Sequence, residues 1–286
     1  MKTIYSFILL FLSFGINITS QHKFSIDTSK TFQTIHGFGA SDAWSNGFMK
    51  LWNDSIKNKA ADWLFSKETT NNESYKGIGL SLWRFNIGAG SAEQGDSSKI
   101  GDPFRRAECI INADGTFNEN KLIGTQQFLK AAKARGLEKL VMFSNSPPVY
   151  LTKNGKAYTE ICNESNLLPE KYNAYADYLT SSLLYFKQKG IHFDYISPVN
   201  EPEWKWCREN GQEGCPYKNI EIAGIVKSLN NKLSEKNLNT QIQIPESGLL
   251  VFANSGNRFK PDRQKEMKSF FKKGQASYVG DQPMLA

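Results

Sequence analysis

A single glutamate follows a short apolar stretch near the middle of the chain. Residues 193–199 read Phe-Asp-Tyr-Ile-Ser-Pro-Val, in which aromatic and β-branched residues favour a β-strand. Asn200, Glu201 and Pro202 come directly after this stretch. Because a buried carboxylate is costly unless something uses it, Glu201 at the mouth of a buried strand indicates chemistry. The alternative is a strand that ends in a charged surface loop, and the tripeptide alone does not decide between the two.

Polar residues also follow four other apolar stretches, at 35–41, 80–87, 139–143 and 240–244. We interpret these stretches as β-strands whose carboxyl ends share one face of the fold. Carboxyl groups, amides, an arginine and tryptophans suit carbohydrate chemistry, because glycoside hydrolysis needs one carboxylic acid to protonate the leaving oxygen and a second carboxylate across the bond. Indole rings also match the apolar face of a sugar. The predicted site residues are Asp42, Trp44, Arg84, Asn86, Asn145, Asn200, Glu201, Trp204 and Glu246.

Three of these residues have specific expected roles and alternatives. Arg84 can hold a neighbouring carboxylate ionised, and its alternative is a purely structural buried ion pair. Asn200 can bond a sugar hydroxyl or orient an acid. Trp44 is either a sugar contact or a core residue.

Strand and helix patterns alternate five times along the chain, which predicts an α/β fold with a parallel sheet. Long polar loops follow the strands and short turns follow the helices, as in a (β/α)8 barrel. The length holds about five of the eight units, so we predict an incomplete (β/α)8 TIM barrel covering strands 1 to 5 and lacking strands 6–8. Residues 277–279 are the possible start of a sixth strand. A doubly wound sheet is the alternative, but Gly37-Phe-Gly39 and Gly88-Ala-Gly90 do not complete its nucleotide-binding fingerprint.

The first residues have the pattern of a secretory signal peptide. Lys2 is followed by an apolar run at 8–14 and by the small residues Thr19 and Ser20. We therefore expect residues 1–20 to be a signal peptide, residues 21–286 to be the barrel domain, and the protein to be secreted, periplasmic or extracellular. Since no later stretch has 18 consecutive apolar residues, no membrane partner is expected.

The four cysteines of an exported chain are expected to be oxidised, and they allow three pairings. Cys207 and Cys215 bracket one short polar loop and are the predicted disulfide. Cys109 and Cys162 are then left as a pair by elimination, and four unpaired thiols are the alternative.

Charge and metal-ligand residues exclude two classes of function. The net charge of +7 is spread along the chain apart from a basic segment at 258–273, whereas a nucleic-acid protein would concentrate it in a stripe. No Cys-x-x-Cys occurs, and the three histidines are scattered at His22, His36 and His192. We expect no nucleic-acid partner, no metal and no cofactor.

Five motifs together resemble glycoside hydrolase family 30, most closely its endo-β-1,6-galactanase branch. They are Gly37–Trp44, Leu82–Ser91, Phe143–Pro148, Lys153–Gly155 and Val199–Pro202, and they occur in the family's order. The resemblance implies a retaining (β/α)8 enzyme with an attached β-sandwich, acting on a polysaccharide or oligosaccharide. A monomer is expected if the full-length chain is present.

By the same resemblance, Glu201 is the general acid/base, and the nucleophile belongs to a seventh strand that this sequence does not contain. Glu246 is the plausible substitute, while Glu203 is expected to point into the loop. Most of the β-sandwich is also expected to be missing, apart from a possible strand near Phe24. The chain by itself is therefore expected to be inactive. The alternatives are a truncated, non-catalytic sugar-binding remnant, or a xylanase-like or glucosylceramidase-like member of the family.

Overall fold

The structure is a computed structural model that describes residues 24–256 and 262–286. The chain divides into two units, Met1–His36 and Gly37–Ala286. In the first unit, the described residues form a turn in which Asp27 accepts hydrogen bonds from the backbone and hydroxyl of Ser29. The strand predicted near Phe24 is not formed, and the predicted signal peptide lies outside the described residues.

The second unit contains one parallel sheet whose strands follow chain order. All four pairings are parallel, so the predicted α/β class with a parallel sheet is confirmed. Each strand is shorter than its apolar stretch because only part of that stretch pairs with its neighbours. The strands are β1 Gly39–Ser41, β2 Leu82–Asn86, β3 Lys139–Phe143, β4 Tyr195–Ser197 and β5 Gln241–Ile242.

The segment beside β5 is not the one that the sequence suggested. Leu285 forms a parallel bridge with Ile242, whose N–H donates to the carbonyl of Met284 over 2.6 Å. Residues 277–279 form no strand, and the Val279 N–H donates instead to the carbonyl of Phe270. The prediction of a strand start at 277–279 was therefore wrong.

Helices connect the strands, as the periodicity predicted. The helix Ile123–Lys133 ends near Gly136, as expected, since Gly136 adopts the left-handed backbone conformation that commonly terminates a helix. Short 3-10 turns interrupt the long loops, at Ser45–Leu51 and Pro103–Arg105 among other places. The helices are α1 Asp54–Phe65, α2 Ser91–Gln94, α3 Ile123–Lys133, α4 Tyr172–Gln188, α5 Asn219–Glu235, α6 Leu250–Asn254 and α7 Glu266–Phe271. None of these described helices is both long and apolar enough to cross a bilayer.

The core lies between the sheet and its helices, and β2 separates it from the site. Phe85 packs edge to face against Phe186 and Phe193, and its ring centroid lies 5.2 and 5.6 Å, respectively, from theirs. Because side chains alternate along a strand, the neighbouring Arg84 and Asn86 lie on the opposite face. The alternation of apolar and polar residues in β2 therefore buries the phenylalanine among helices and places the arginine at the site.

Candidate active site at the carboxyl ends of the strands

Arg84 joins the ends of four strands. Its Nη2 donates to Asn200 Oδ1 over 2.8 Å and forms an ion pair with Glu246 Oε2 at 2.9 Å. Its Nη1 lies 3.4 Å from the hydroxyl oxygen of Ser41. The guanidinium also stacks on Phe143, with Cζ 3.3 Å from the ring centroid. These contacts hold the loops after β4 and β5 to a single cation.

The charges around Arg84 oppose the effect of its burial. Burial lowers the pKa of the guanidinium, and the carboxylates of Glu246, Asp42 and Glu201 raise it. Because an arginine guanidinium keeps its proton in proteins, the group remains a cation at neutral pH. The site is therefore a buried positive charge surrounded by acids.

Glu201 is fixed by its backbone. Its N–H donates to the Glu246 carbonyl over 2.9 Å, and its own carbonyl accepts from the indole of Trp206 over 2.7 Å. A residue before proline usually adopts an extended conformation, but Glu201 has a φ of 44°. The two hydrogen bonds override that preference and hold the residue in the left-handed region, where a non-glycine residue is strained.

The environment of the Glu201 side chain suits a general acid. Burial raises the pKa of this carboxyl group, Arg84 lowers it, and the negative charge of Glu246 raises it further. The net shift is upward, which extends the pH range in which the group carries a proton. The expected role of Glu201 remains a prediction, and its electrostatics are compatible with it.

Glu246 is engaged differently, although it too has a positive φ, of 57°. Its carboxylate is the anionic partner of Arg84. An ion pair of this kind stabilises the charge and makes the oxygen a poorer nucleophile.

Asp42 and Asn86 support the backbone beneath the site. Asp42 Oδ1 accepts the backbone N–H of Asn86 over 2.7 Å. Asn86 uses its Nδ2 to donate to the carbonyl of Ala43 and its Oδ1 to accept from the N–H of Gly88. A sugar hydroxyl would have to compete with these bonds, so the structure indicates a supporting role for Asn86. The predicted substrate contacts of both residues remain predictions.

Asn145 and Trp204 differ in how accessible their side chains are. Asn145 is 4% exposed, and its Nδ2 has no hydrogen-bond partner among the described residues. Trp204 is 39% exposed and packs edge to face on Phe252, with centroids 5.7 Å apart.

Trp44 lies apart from the Arg84 contacts. It lines a cavity of about 280 Å³ together with Asp42, Asn86 and Phe48. The Arg105 guanidinium lies 5.9 Å from its ring. The structure therefore places Trp44 beside the site and not in direct contact with Arg84.

Glu203 and Glu213 are buried, which the sequence did not predict. Glu203 was expected to point into the loop, but it is 1% exposed and accepts the N–H of Gly248 over 2.6 Å, so that expectation was wrong. Glu213 is fully buried and accepts from Ala89 and Ser91 in the loop after β2. Burial raises the pKa of Glu213 to about 7. Both lie in polar loop sequence that gives no sign of burial.

The predicted Cys207–Cys215 disulfide is wrong, because Cys207 is bonded to Cys162, with their Cα atoms 5.0 Å apart. Residues 159–163 run beside 205–207 through backbone hydrogen bonds, and this pairing brings the two sulfurs together. Cys215 is a buried thiol whose Sγ accepts the N–H of Asn166. Cys109 is also a buried free thiol, so its pairing with Cys162 is wrong as well.

Comparison with known proteins bears on this arrangement. The family model described as O-Glycosyl hydrolase family 30 matches residues 21–286. The chain belongs to glycoside hydrolase family 30. Family membership confirms the resemblance drawn from the five motifs and supports glycosidase activity.

Three relatives illustrate the similarity of this family 30 chain to known proteins. An endo-β-1,6-galactanase from Hypocrea rufa is 27% identical over 234 residues, which are 76% of this chain and 47% of that protein. A conserved exported protein from Bacteroides fragilis is 32% identical, with a TM-score of 0.85, over 91% of this chain and 53% of the other. The catalytic domain of xylanase C from Talaromyces cellulolyticus is 21% identical, with a TM-score of 0.61, over 84% of this chain and 51% of the other, and this shows the fold alone. The family 30 chain thus spans about half the length of these relatives. The structural similarity confirms the barrel class that was predicted from sequence.

Proposed function

We propose that this chain carries the acid/base part of the active site of a retaining glycoside hydrolase that cleaves β-1,6-linked galactan. The observation that carries the proposal is the position of Glu201, a half-buried carboxyl group with a raised pKa at the edge of a buried arginine–acid cluster. The similarity to an endo-β-1,6-galactanase supports the choice of glycan.

In the proposed reaction, protonated Glu201 donates its proton to the glycosidic oxygen as the bond to the leaving sugar breaks and a nucleophilic carboxylate bonds the anomeric carbon. We assign that carboxylate to none of the described residues. Arg84 forms an ion pair with Glu246 and donates a hydrogen bond to Asn200 Oδ1, which fixes the orientation of the Asn200 amide. The Nδ2 of Asn145, which has no hydrogen-bond partner among the described residues, is the proposed donor to a sugar hydroxyl. The exposed indole of Trp204 supplies an apolar surface for a sugar ring.

The substrate is tested by offering the 286-residue protein purified β-1,6-galactan, xylan, β-1,6-glucan and a glucosylceramide, and by measuring both the binding of each compound and the release of reducing ends. The proposal expects β-1,6-galactan to be the preferred ligand or substrate. Binding or cleavage of xylan alone would remove the galactanase assignment and favour the xylanase-like alternative.

A second candidate function is sugar binding without hydrolysis. It is favoured by the ion pair that engages Glu246, because Glu246 is the carboxylate that would have to act as the nucleophile beside Glu201. Titration calorimetry with a β-1,6-galacto-oligosaccharide separates the two candidates. Binding without new reducing ends supports sugar binding, whereas turnover that disappears in Glu201→Gln supports hydrolysis.

We also propose that the protein is exported and acts as a monomer on a polysaccharide, without a nucleic-acid or membrane partner. The apolar run at 8–14 and the similarity to an exported protein support export. Amino-terminal sequencing of protein recovered from the periplasm or medium tests this directly. A mature chain that begins near Gln21 supports export, and an uncleaved cytoplasmic chain contradicts it.

A further inference from the structure

The buried carboxyl group of Glu203 needs an explanation that the proposed reaction does not supply. The residue follows Glu201 by two positions, and its side chain is withdrawn from solvent. Removing a carboxylate from water is costly unless it is hydrogen bonded. Its Oε1 accepts the backbone N–H of Gly248 over 2.6 Å, in the loop that follows β5. A side chain of the β4 loop therefore holds the backbone of the β5 loop.

The backbone that Glu203 holds is in direct contact with the proposed acid. A Cβ atom built on Gly248 would lie 3.1 Å from Glu201 Oε1 and 2.3 Å from the Trp204 indole nitrogen. No side chain larger than that of glycine fits this contact without movement. A displacement of Gly248 would therefore change the surroundings of Glu201 and Trp204 at once.

Two further contacts fix the same segment. The Glu201 N–H bonds the carbonyl of Glu246, so the two loops are also joined through their backbones. On α7, the fully buried Glu266 accepts a hydrogen bond from the Ser247 hydroxyl. Two consecutive loop residues, Ser247 and Gly248, are thus each bonded to a different buried glutamate.

We propose that Glu203 is a positioning residue, which holds Gly248 against Glu201 and Trp204 and so sets where the acid and the indole face the sugar. Glu266 supports the neighbouring Ser247 in the same segment. The meaning of this arrangement for catalysis rests on the proposed function, whereas the positioning itself is a property of the fold and is measured without a substrate.

The test compares Glu203→Gln with Glu203→Leu in the 286-residue protein by NMR. Gln keeps an oxygen that accepts the Gly248 N–H, and Leu removes it. The readouts are the indole N–H resonance of Trp204, assigned with Trp204→Phe, and the carboxyl carbon resonance of Glu201, assigned with Glu201→Gln. Leu is expected to shift both resonances, and Gln is expected to return the Trp204 resonance to its wild-type position. Glu235→Gln, an exposed change on α5, is the matched control and should shift neither.

A second variant changes Gly248 instead of Glu203, in case the Leu variant does not fold. Gly248→Ala leaves both buried glutamates in place and adds a methyl group at the contact. It is expected to shift the Trp204 and Glu201 resonances, whereas Gly101→Ala, at a site with no heavy atom within 4 Å of the added Cβ, should shift neither.

The positioning role is overturned if folded Glu203→Leu or Gly248→Ala keeps both resonances at their wild-type positions. Failure of the wild-type protein to bind or cleave any β-1,6-galactan would instead overturn the proposed function and leave the NMR comparison unaffected. The two failures are therefore distinguishable.

Discussion

Replacing Arg84 with methionine removes the cation that joins the loops after β4 and β5. The substitution keeps much of the aliphatic length, so the Phe143 ring retains a packing partner. It leaves the Glu246 carboxylate without its ion pair and Asn200 Oδ1 without its donor. It also removes the charge that lowers the pKa of Glu201, so the pKa of that carboxyl group should rise further.

The expected loss of stability follows from the burial of the pair. Removing one partner of a buried ion pair costs about 3–5 kcal/mol. The side chains of Arg84 and Glu246 are 17% and 22% exposed, so solvent screening places the loss near the lower limit, at about 3 kcal/mol. For a domain of this size, that corresponds to a fall in Tm of roughly 6–12 °C.

Differential scanning calorimetry measures this loss, with Arg105→Met as the control for an arginine on the surface. The control is expected to change the free energy of unfolding by less than about 0.5 kcal/mol. The double variant Arg84→Met/Glu246→Gln should recover part of the loss, because it no longer contains an unpaired buried carboxylate. A Tm for Arg84→Met within about 2 °C of wild type would refute the claim that this ion pair holds the two loops together.

Three further predictions concern other buried groups. The pKa of Glu213 is about 7 in the fold and 4.5 ordinarily, so between these values the folded state binds a proton that the unfolded state has lost. The free energy of unfolding should therefore fall as the pH rises from 4.5 to 7. Denaturant titrations should show a smaller fall in the free energy of unfolding of Glu213→Gln over the same range. Loss of the Cys162–Cys207 disulfide, which spans 45 residues, should cost about 4 kcal/mol in Cys162→Ser, while Cys215→Ser should leave the linked peptides intact by mass spectrometry. Asn145→Leu should unfold no earlier than wild type in thermal scans, since it removes a buried amide nitrogen that has no partner among the described residues. It should also weaken sugar binding about tenfold by calorimetry.

The strands could be predicted from sequence because each is a short apolar stretch followed by polar residues. The lengths of the strands could not be predicted, because pairing depends on the neighbouring strands. The stretch that begins at Ile35, for example, forms a strand only from Gly39. The gathering of Arg84, Asn200 and Glu246 at one edge follows from parallel strands, as the sequence predicts.

Contacts between distant loops explain what the sequence did not reveal. Glu203 is buried because Gly248, 45 residues later, supplies its hydrogen bond. Cys207 pairs with a cysteine 45 residues earlier, although Cys215 is much nearer in sequence. Local composition carries no information on either partnership, because each depends on how separate loops cross over the sheet.

Glu201 is proposed to be the general acid that protonates the glycosidic oxygen of a β-1,6-galactan. The most direct test of this claim is a pH titration of the Glu201 carboxyl carbon by NMR, with and without a β-1,6-galacto-oligosaccharide. We expect a midpoint above the ordinary value of 4.5 in the free protein, and a further change when the galacto-oligosaccharide, but not a xylo-oligosaccharide, is added. A midpoint at or below 4.5, or one that the galacto-oligosaccharide leaves unchanged, would contradict the claim.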